Sequence, residues 1–355
     1  MNAIDLADGL RDRDISFTIF RNALKQNELA TSQGWDKTLD KLTELLNIKE
    51  TAEEYSSKLT YIYEDLTLYS DKLVRIYPAP ENAGTLLSSM IDHFVQKDSA
   101  YDQRFPLPLE QEELIAAPVS CHCVDRWESD SSHDFILCSK QYITERETLP
   151  KEYLREDAVD EFGIFDEVYG VRKRAIQLFD VISFNPSRQT IEIRMDGYKK
   201  QNICEIERRL RYIEGLVNDY AKESLNIEQI LSNPLNFYSC IKKLYDSPDG
   251  RVIELGHCTE GAAIHRGKMR RKACDFRDDT YHTGGINVIP ELNAHMLAKL
   301  WDSPTRHGTI ELVIPGTLST SSNSAQVIDF ALILSCASEL DYNSVMTKLL
   351  DTLTP

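Results

Sequence analysis

The stretch "LFDVISFNPSRQTIEIRMD", residues 178–196, decides the class of fold. Its second half alternates, with Ile191, Ile193 and Met195 on one side of an extended chain and Glu192 and Arg194 on the other. Its first half, LFDVISF, is nearly continuous in β-branched and aromatic residues, which suit a pleated, buried surface. Asn185-Pro186-Ser187 lies between them. Proline presets φ for a turn, and the Asn and Ser side chains bond to nearby backbone. Period two on both sides of a polar turn predicts a β-hairpin, with the isoleucines and Met195 toward a core and Glu192 and Arg194 forming a wet face.

A second hairpin precedes it: "APVSCHCVDRW" (117–127) and "FILCSKQYI" (135–143) flank the polar "ESDSSHD". "RVIEL" (251–255) and "TIELVIP" (309–315) read as further strands. The first hundred residues have a helical period instead. "DKTLDKLTELLNI" places Leu39, Leu42, Leu45 and Leu46 on one face, and "AGTLLSSMIDHFVQ" repeats the pattern through Leu86, Met90, Ile91 and Phe94. "LTLYSDKLVRIYP" is either a hairpin turning at Ser70-Asp71 or a helix followed by a strand. The best helix follows residue 200, where Ile203, Ile206, Leu210, Ile213, Val217 and Tyr220 make one apolar stripe. Further helices are expected near 236–245, near 291–301 and over the nearly all-apolar 325–337, the last capped by the hydroxyl-rich loop "GTLSTSSNS". Strands and helices mix without regular alternation, which predicts an α+β fold. The expected organisation is a mainly helical domain (1–105), a linker over "DQRFPLPLEQEE" (102–113), a β-hairpin-rich unit (115–200) and an α+β C-terminal region (201–355).

The chain has 355 residues and a formal charge of −17. Phosphates are repelled by most of such a surface, which excludes a protein that coats nucleic acid with its whole exterior. The longest apolar run, "FALIL" at 330–334, is too short to cross a bilayer. The acidic start carries no secretory signal, and the eight cysteines are scattered. That pattern reads as reduced thiols in a cytoplasmic protein.

Against this background "AIHRGKMRRKACDFR" (263–277) stands out, holding six Lys/Arg and a single acid, Asp275. A third of the fifteen glycines (256, 261, 267, 284 and 285) bracket it. Basic side chains on a glycine-punctuated segment suit close approach to phosphate oxygens, which guanidinium forks bind bidentately. Arg266, Lys268, Arg270, Arg271 and Lys272 are the expected phosphate contacts, with His265 and His282 beside them. The competing reading is an exposed arm paired with the protein's own carboxylates, including the acidic run 156–167.

Metal chemistry has less to stand on. His257, Cys258, His265, Cys274 and His282 fit no Cys-x-x-Cys or His-x(3–5)-His spacing. In "SCHC", Cys121 and Cys123 point to one side of a strand and His122 to the other, with Cys138 on the partner strand able to join the thiols. Asp278, Asp279 and His282 form a possible divalent-ion group, or simply a capped helix start. Asp180 followed by Glu192-Ile193-Arg194 on a hairpin resembles the metal-binding core of restriction-endonuclease-like nucleases. That resemblance implies Asp180 and Glu192 holding Mg2+ or Mn2+ beside a water-activating lysine. Arg194 departs from it, because a guanidinium stays protonated. No Walker-type loop, dinucleotide-binding glycine pattern or Gly-x-Ser-x-Gly elbow occurs.

These readings yield three functional expectations. The first is a non-catalytic module, within a multi-protein assembly or homo-oligomer, that binds DNA, RNA or another polyanion through 264–277 and needs no cofactor. The second is a metal-dependent nuclease or phosphoesterase using Asp180 and Glu192, or Asp278, Asp279 and His282. The third is a protein-binding adaptor. None inserts into a membrane.

Overall fold

The computed structural model describes residues 2–80, 83, 94–95, 98–129, 131–150, 152, 162, 164–259, 263–288, 292–317 and 326–353. The fold is α+β, as the pattern predicts. Four helices open the chain: α1 (Ala3–Asp12), α2 (Phe17–Gln26), α3 (Gly34–Leu46) and α4 (Lys49–Tyr69). Asn2 caps α1 in a capping box with Asp5. The four helices bury Leu6, Leu10, Phe20, Leu24, Leu42 and Leu66 against one another. "LTLYSDKLVRIYP" resolves as the end of α4 followed by strand β1 (Lys72–Pro78). Most of the helix expected over 83–96 lies outside the described residues, as do the run 156–161 and most of the "GTLSTSSNS" loop.

Nine further strands join β1 in one antiparallel sheet: β2 (His122–Glu128), β3 (His133–Leu149), β4 (Val168–Asn185), β5 (Thr190–Met195), β6 (Arg251–Cys258), β7 (Ile264–Lys268), β8 (Asn293–Asp302), β9 (Thr309–Ile314) and β10 (Ala331–Leu334). Their order across the sheet is β2-β3-β4-β5-β1-β10-β9-β8-β6-β7. Helices cover it from both sides. The apolar stripe of α6 (Ile203–Leu225) packs Ile206, Leu210, Ile213 and Val217 on Leu73, Ile182, Ile191 and Ile193. On the opposite face lie α5 (Gln111–Ala116), α7 (Tyr238–Asp246), α9 (Glu339–Asp351) and the end of α4, over Val74, Val181, Leu255, Leu312 and Ile333. The segment expected as a linker is tied into this layer, because Leu109 is buried and its N–H donates to Gln177 at 2.8 Å.

Three local expectations are corrected. "NAHMLAKLWD", expected as a helix near 291–301, is strand β8, paired with β6 and β9. Its Ala, Met, Leu and Lys residues favour helix intrinsically, but pairing on both edges overrides a preference that is weak per residue. The apolar run expected as a helix over 325–337 contains strand β10, and its continuous hydrophobicity reflects burial on both faces. Glu192 and Arg194 do not form a wet face, since both are buried under Tyr69 of α4 and Tyr342 of α9.

Each nitrogen of the Arg194 guanidinium has a partner. Nε donates to Glu192 at 2.9 Å, Nη2 to Ser183 at 2.8 Å, and Nη1 lies 3.4 Å from Asp134. The rings of Tyr69 and Tyr342 stand 4.9 and 4.6 Å from its carbon, and Tyr342 also donates to Glu192 at 2.8 Å. Removing one partner of a buried ion pair strands the other charge, at a cost of about 3–5 kcal/mol. Arg194→Met is therefore expected to lower the unfolding free energy in urea by about that amount, with Glu192→Gln in the same chain recovering part of it. A loss below about 1 kcal/mol, the level of an exposed pair, would contradict this assignment.

Candidate nucleic-acid interface

The basic stretch forms the far edge of the sheet. β7 pairs with β6 along one side, Gly256 opposite Arg266 and His257 opposite His265, and pairs with no other strand among the described residues. Alternation sends Ile264, Arg266 and Lys268 outward, all exposed, and turns His265 and Gly267 to the other face. Arg266 Nε donates to Glu254 at 2.6 Å and Lys268 Nζ lies 2.9 Å from the other oxygen of the same carboxylate. Both bases stay about two-thirds exposed, at 67% and 68% of their side chains. Past Met269, whose N–H donates to Ile253, the chain turns through Arg270 and Arg271. Both are exposed and have no ion pair among the described residues. Lys272 reaches Glu311 of β9 at 2.7 Å.

Five bases thus meet two carboxylates, leaving a surplus of three positive charges on this edge. The sixth base is not part of it. Arg277 donates to the carbonyls of Tyr245, Ser247 and Gly250 at 3.0, 2.6 and 2.8 Å and clasps Asp275, closing the C-terminal end of α7. It is a structural residue.

The other face of the same strand carries rings. His257 and His265 stack with centroids 5.3 Å apart. His282, on the short helix α8 (Thr280–Ile286), lies 6.0 Å from His257 and 4.3 Å from Phe276. Its Nε2 is 2.8 Å from the Tyr245 hydroxyl, a hydrogen bond. Gly267 makes this closure possible, because a Cβ there would sit 2.1 Å from the Phe276 ring. Together they wall a cavity of about 590 Å3 that also takes in Arg266, Tyr281 and Gly284.

Burial, then the neighbouring His265, His282 and His295, push the His257 imidazole down to about 4. Burial likewise lowers His282 and His295. His257 is thus neutral near pH 7 and adds ring surface to the site without adding charge.

The acidic candidates do not assemble. Asp180 and Glu192 project from opposite faces of the sheet. Asp180 meets Arg209 of α6 at 2.8 Å, whereas Glu192 lies under α9 with Arg194. Mg2+ or Mn2+ between them does not fit, since one ion cannot reach through a sheet. Asp279 is occupied in capping α8, accepting from the His282 N–H at 3.0 Å, and Asp278 is exposed beside it. Cys123 and Cys138 also fall on opposite faces, in the two separate cores. No group of three His, Cys, Asp or Glu side chains among the described residues is placed to hold a metal ion. All eight cysteines are free thiols.

Glu254, Glu311, Tyr245, Phe276 and Tyr281 had no part in the sequence reading. The one available signal was the aromatic pair Phe276, within the basic stretch, and Tyr281, just after it. No protein-family model matches the chain, and no curated protein shows significant similarity to it. No helix among the described residues is long and apolar enough to cross a membrane.

The native state binds the His257 proton less tightly than the unfolded chain does. This site's contribution to stability is therefore full above about pH 6.5 and is lost as pH falls toward about 4. In an NMR titration of the imidazole resonances, His257 is expected to have its midpoint near 4. A midpoint near the ordinary value of about 6.5 would show a solvated ring and an open site.

Proposed function

We propose that the protein is a non-catalytic module that binds nucleic acid, or a polyanion of like charge, along the edge formed by β7 and the turn after it. The carrying observation is the charge that remains after internal pairing: Arg270 and Arg271 exposed and without an ion pair among the described residues, with Arg266, Lys268 and Lys272 sharing only two carboxylates. Glu254 and Glu311 hold three of the bases in place, so a phosphate backbone meets partly ordered cations. The acidic remainder of the surface confines phosphates to this edge and weakens long-range attraction, which favours modest, salt-sensitive affinity. A base positioned against phosphate contributes affinity and no sequence preference.

The test is a fluorescence-anisotropy titration with labelled single-stranded and duplex DNA and RNA over a salt series. Arg270→Glu/Arg271→Glu is expected to weaken binding at least tenfold. It should also flatten the slope of log K against log salt by about 2, one for each phosphate that is no longer neutralised. No binding by the wild-type protein at low salt, or an unchanged mutant, would overturn the proposal and turn attention to protein partners.

A further inference from the structure

The ring-lined cavity on the inner face of β7 shares only Arg266 with the basic edge described above. Its walls are unusual for a structural void. His257, His265, His282, Phe276 and Tyr281 present flat π-surfaces around about 590 Å3, within the roughly 300–1,000 Å3 typical of small-molecule sites. Tyr281 lines it while 84% exposed, so an aromatic ring stands at the mouth with its face uncovered. A ring exposed beside a cavity of aromatic side chains is available to stack on a flat ligand. His257 lines the same space, and its Nδ1, shielded from solvent, has no hydrogen-bond partner among the described residues. Flat rings around a cavity of this size suit a flat heteroaromatic ligand: ring faces for stacking, with imidazole nitrogens and the Tyr281 hydroxyl in the same wall for its edge.

We infer that this cavity receives an unstacked base of a single-stranded nucleic acid whose phosphates lie on the basic side of the same strand. The inference rests on the polyanion reading above. It adds the reason a single strand, and not a duplex, is the ligand. β7 is one residue thick, and its outer backbone edge is unpaired among the described residues. Successive side chains therefore reach both faces, Arg266 and Lys268 to one and His265 to the other. Arg266 also contributes to the cavity wall, linking the two faces at one position. A strand draped over this edge places phosphates on the bases and turns one nucleobase inward. Duplex bases are paired and stacked and cannot make that turn without melting. Stacking of this kind tolerates any base.

The experiment compares two labelled 15-mers that carry the same number of phosphates, one with all its bases and one abasic throughout. The abasic strand reports phosphate binding alone; the difference between the two reports the cavity. Wild type is expected to bind the intact strand roughly tenfold tighter or more. Tyr281→Ala, at an exposed position, should reduce that difference while leaving abasic binding unchanged. Arg270→Glu/Arg271→Glu should weaken both strands. Circular dichroism checks that each variant folds. Equal affinity of wild type for the two strands overturns the base pocket and leaves the polyanion reading standing. Binding to neither strand overturns both.

Discussion

A guanidinium at the centre of the sheet sets the terms for the rest of the molecule. Arg194 is almost wholly withdrawn from water, so each of its donors must be met inside the protein, and each partner comes from a different part of the chain: Glu192 from its own strand, Ser183 from β4, Asp134 from β3, and the rings of Tyr69 and Tyr342 from α4 and α9. A buried cation with partners this scattered couples them, because losing one leaves the others with an uncompensated buried charge. It accepts one register of β4 against β5 and one seating of the N- and C-terminal helices. Asp180 and Arg209 make a second buried pair on the opposite face, tying α6 to the same two strands. Lys72 completes the pattern. Burial pushes its ammonium down to about 8, and it donates to the Phe179 carbonyl at 3.0 Å.

From that centre the sheet extends through β1, β10, β9, β8 and β6 to β7. At about 4.8 Å per strand the basic edge lies roughly 30 Å from Arg194. The molecule thus separates its charges by role. Central cations are enclosed with carboxylates and rings and are unavailable to a ligand. Cations on the far edge are exposed, underpaired and carried by β7 and the turn after it. The formal charge of −17 and a phosphate-binding edge are compatible because the positive surplus is local.

The architecture was legible where local signals are strong. The β4–β5 hairpin follows from a period of two around Asn-Pro-Ser, and α6 from a stripe that its neighbours do bury, except at exposed Ile203. β8 and β10 were misread because their strand character comes from non-local pairing that composition does not carry. Glu192 and Arg194 were misassigned for a related reason: alternation shows which residues share a face, but not that a second helical layer covers that face. The basic edge was visible as a cluster in the sequence. Pairing with the protein's own carboxylates was the competing reading and holds for three of the bases, but the partners were not legible, because Glu254 lies 12 residues from Arg266 and Glu311 lies 39 from Lys272. The cavity was hidden further, since Tyr245 meets His282 across 37 residues.

The most direct test of the account is hydrogen–deuterium exchange on the full chain, with and without a saturating single-stranded oligonucleotide. The unpaired side of β7 and the turn after it should exchange fast in the free protein, as edge strands and short turns do. Protection on binding should be confined to peptides covering 264–286, with the Arg194 region unchanged. Protection centred on the N-terminal helices, or no change at 264–286 under saturating ligand, would contradict the claim that this edge is the binding surface.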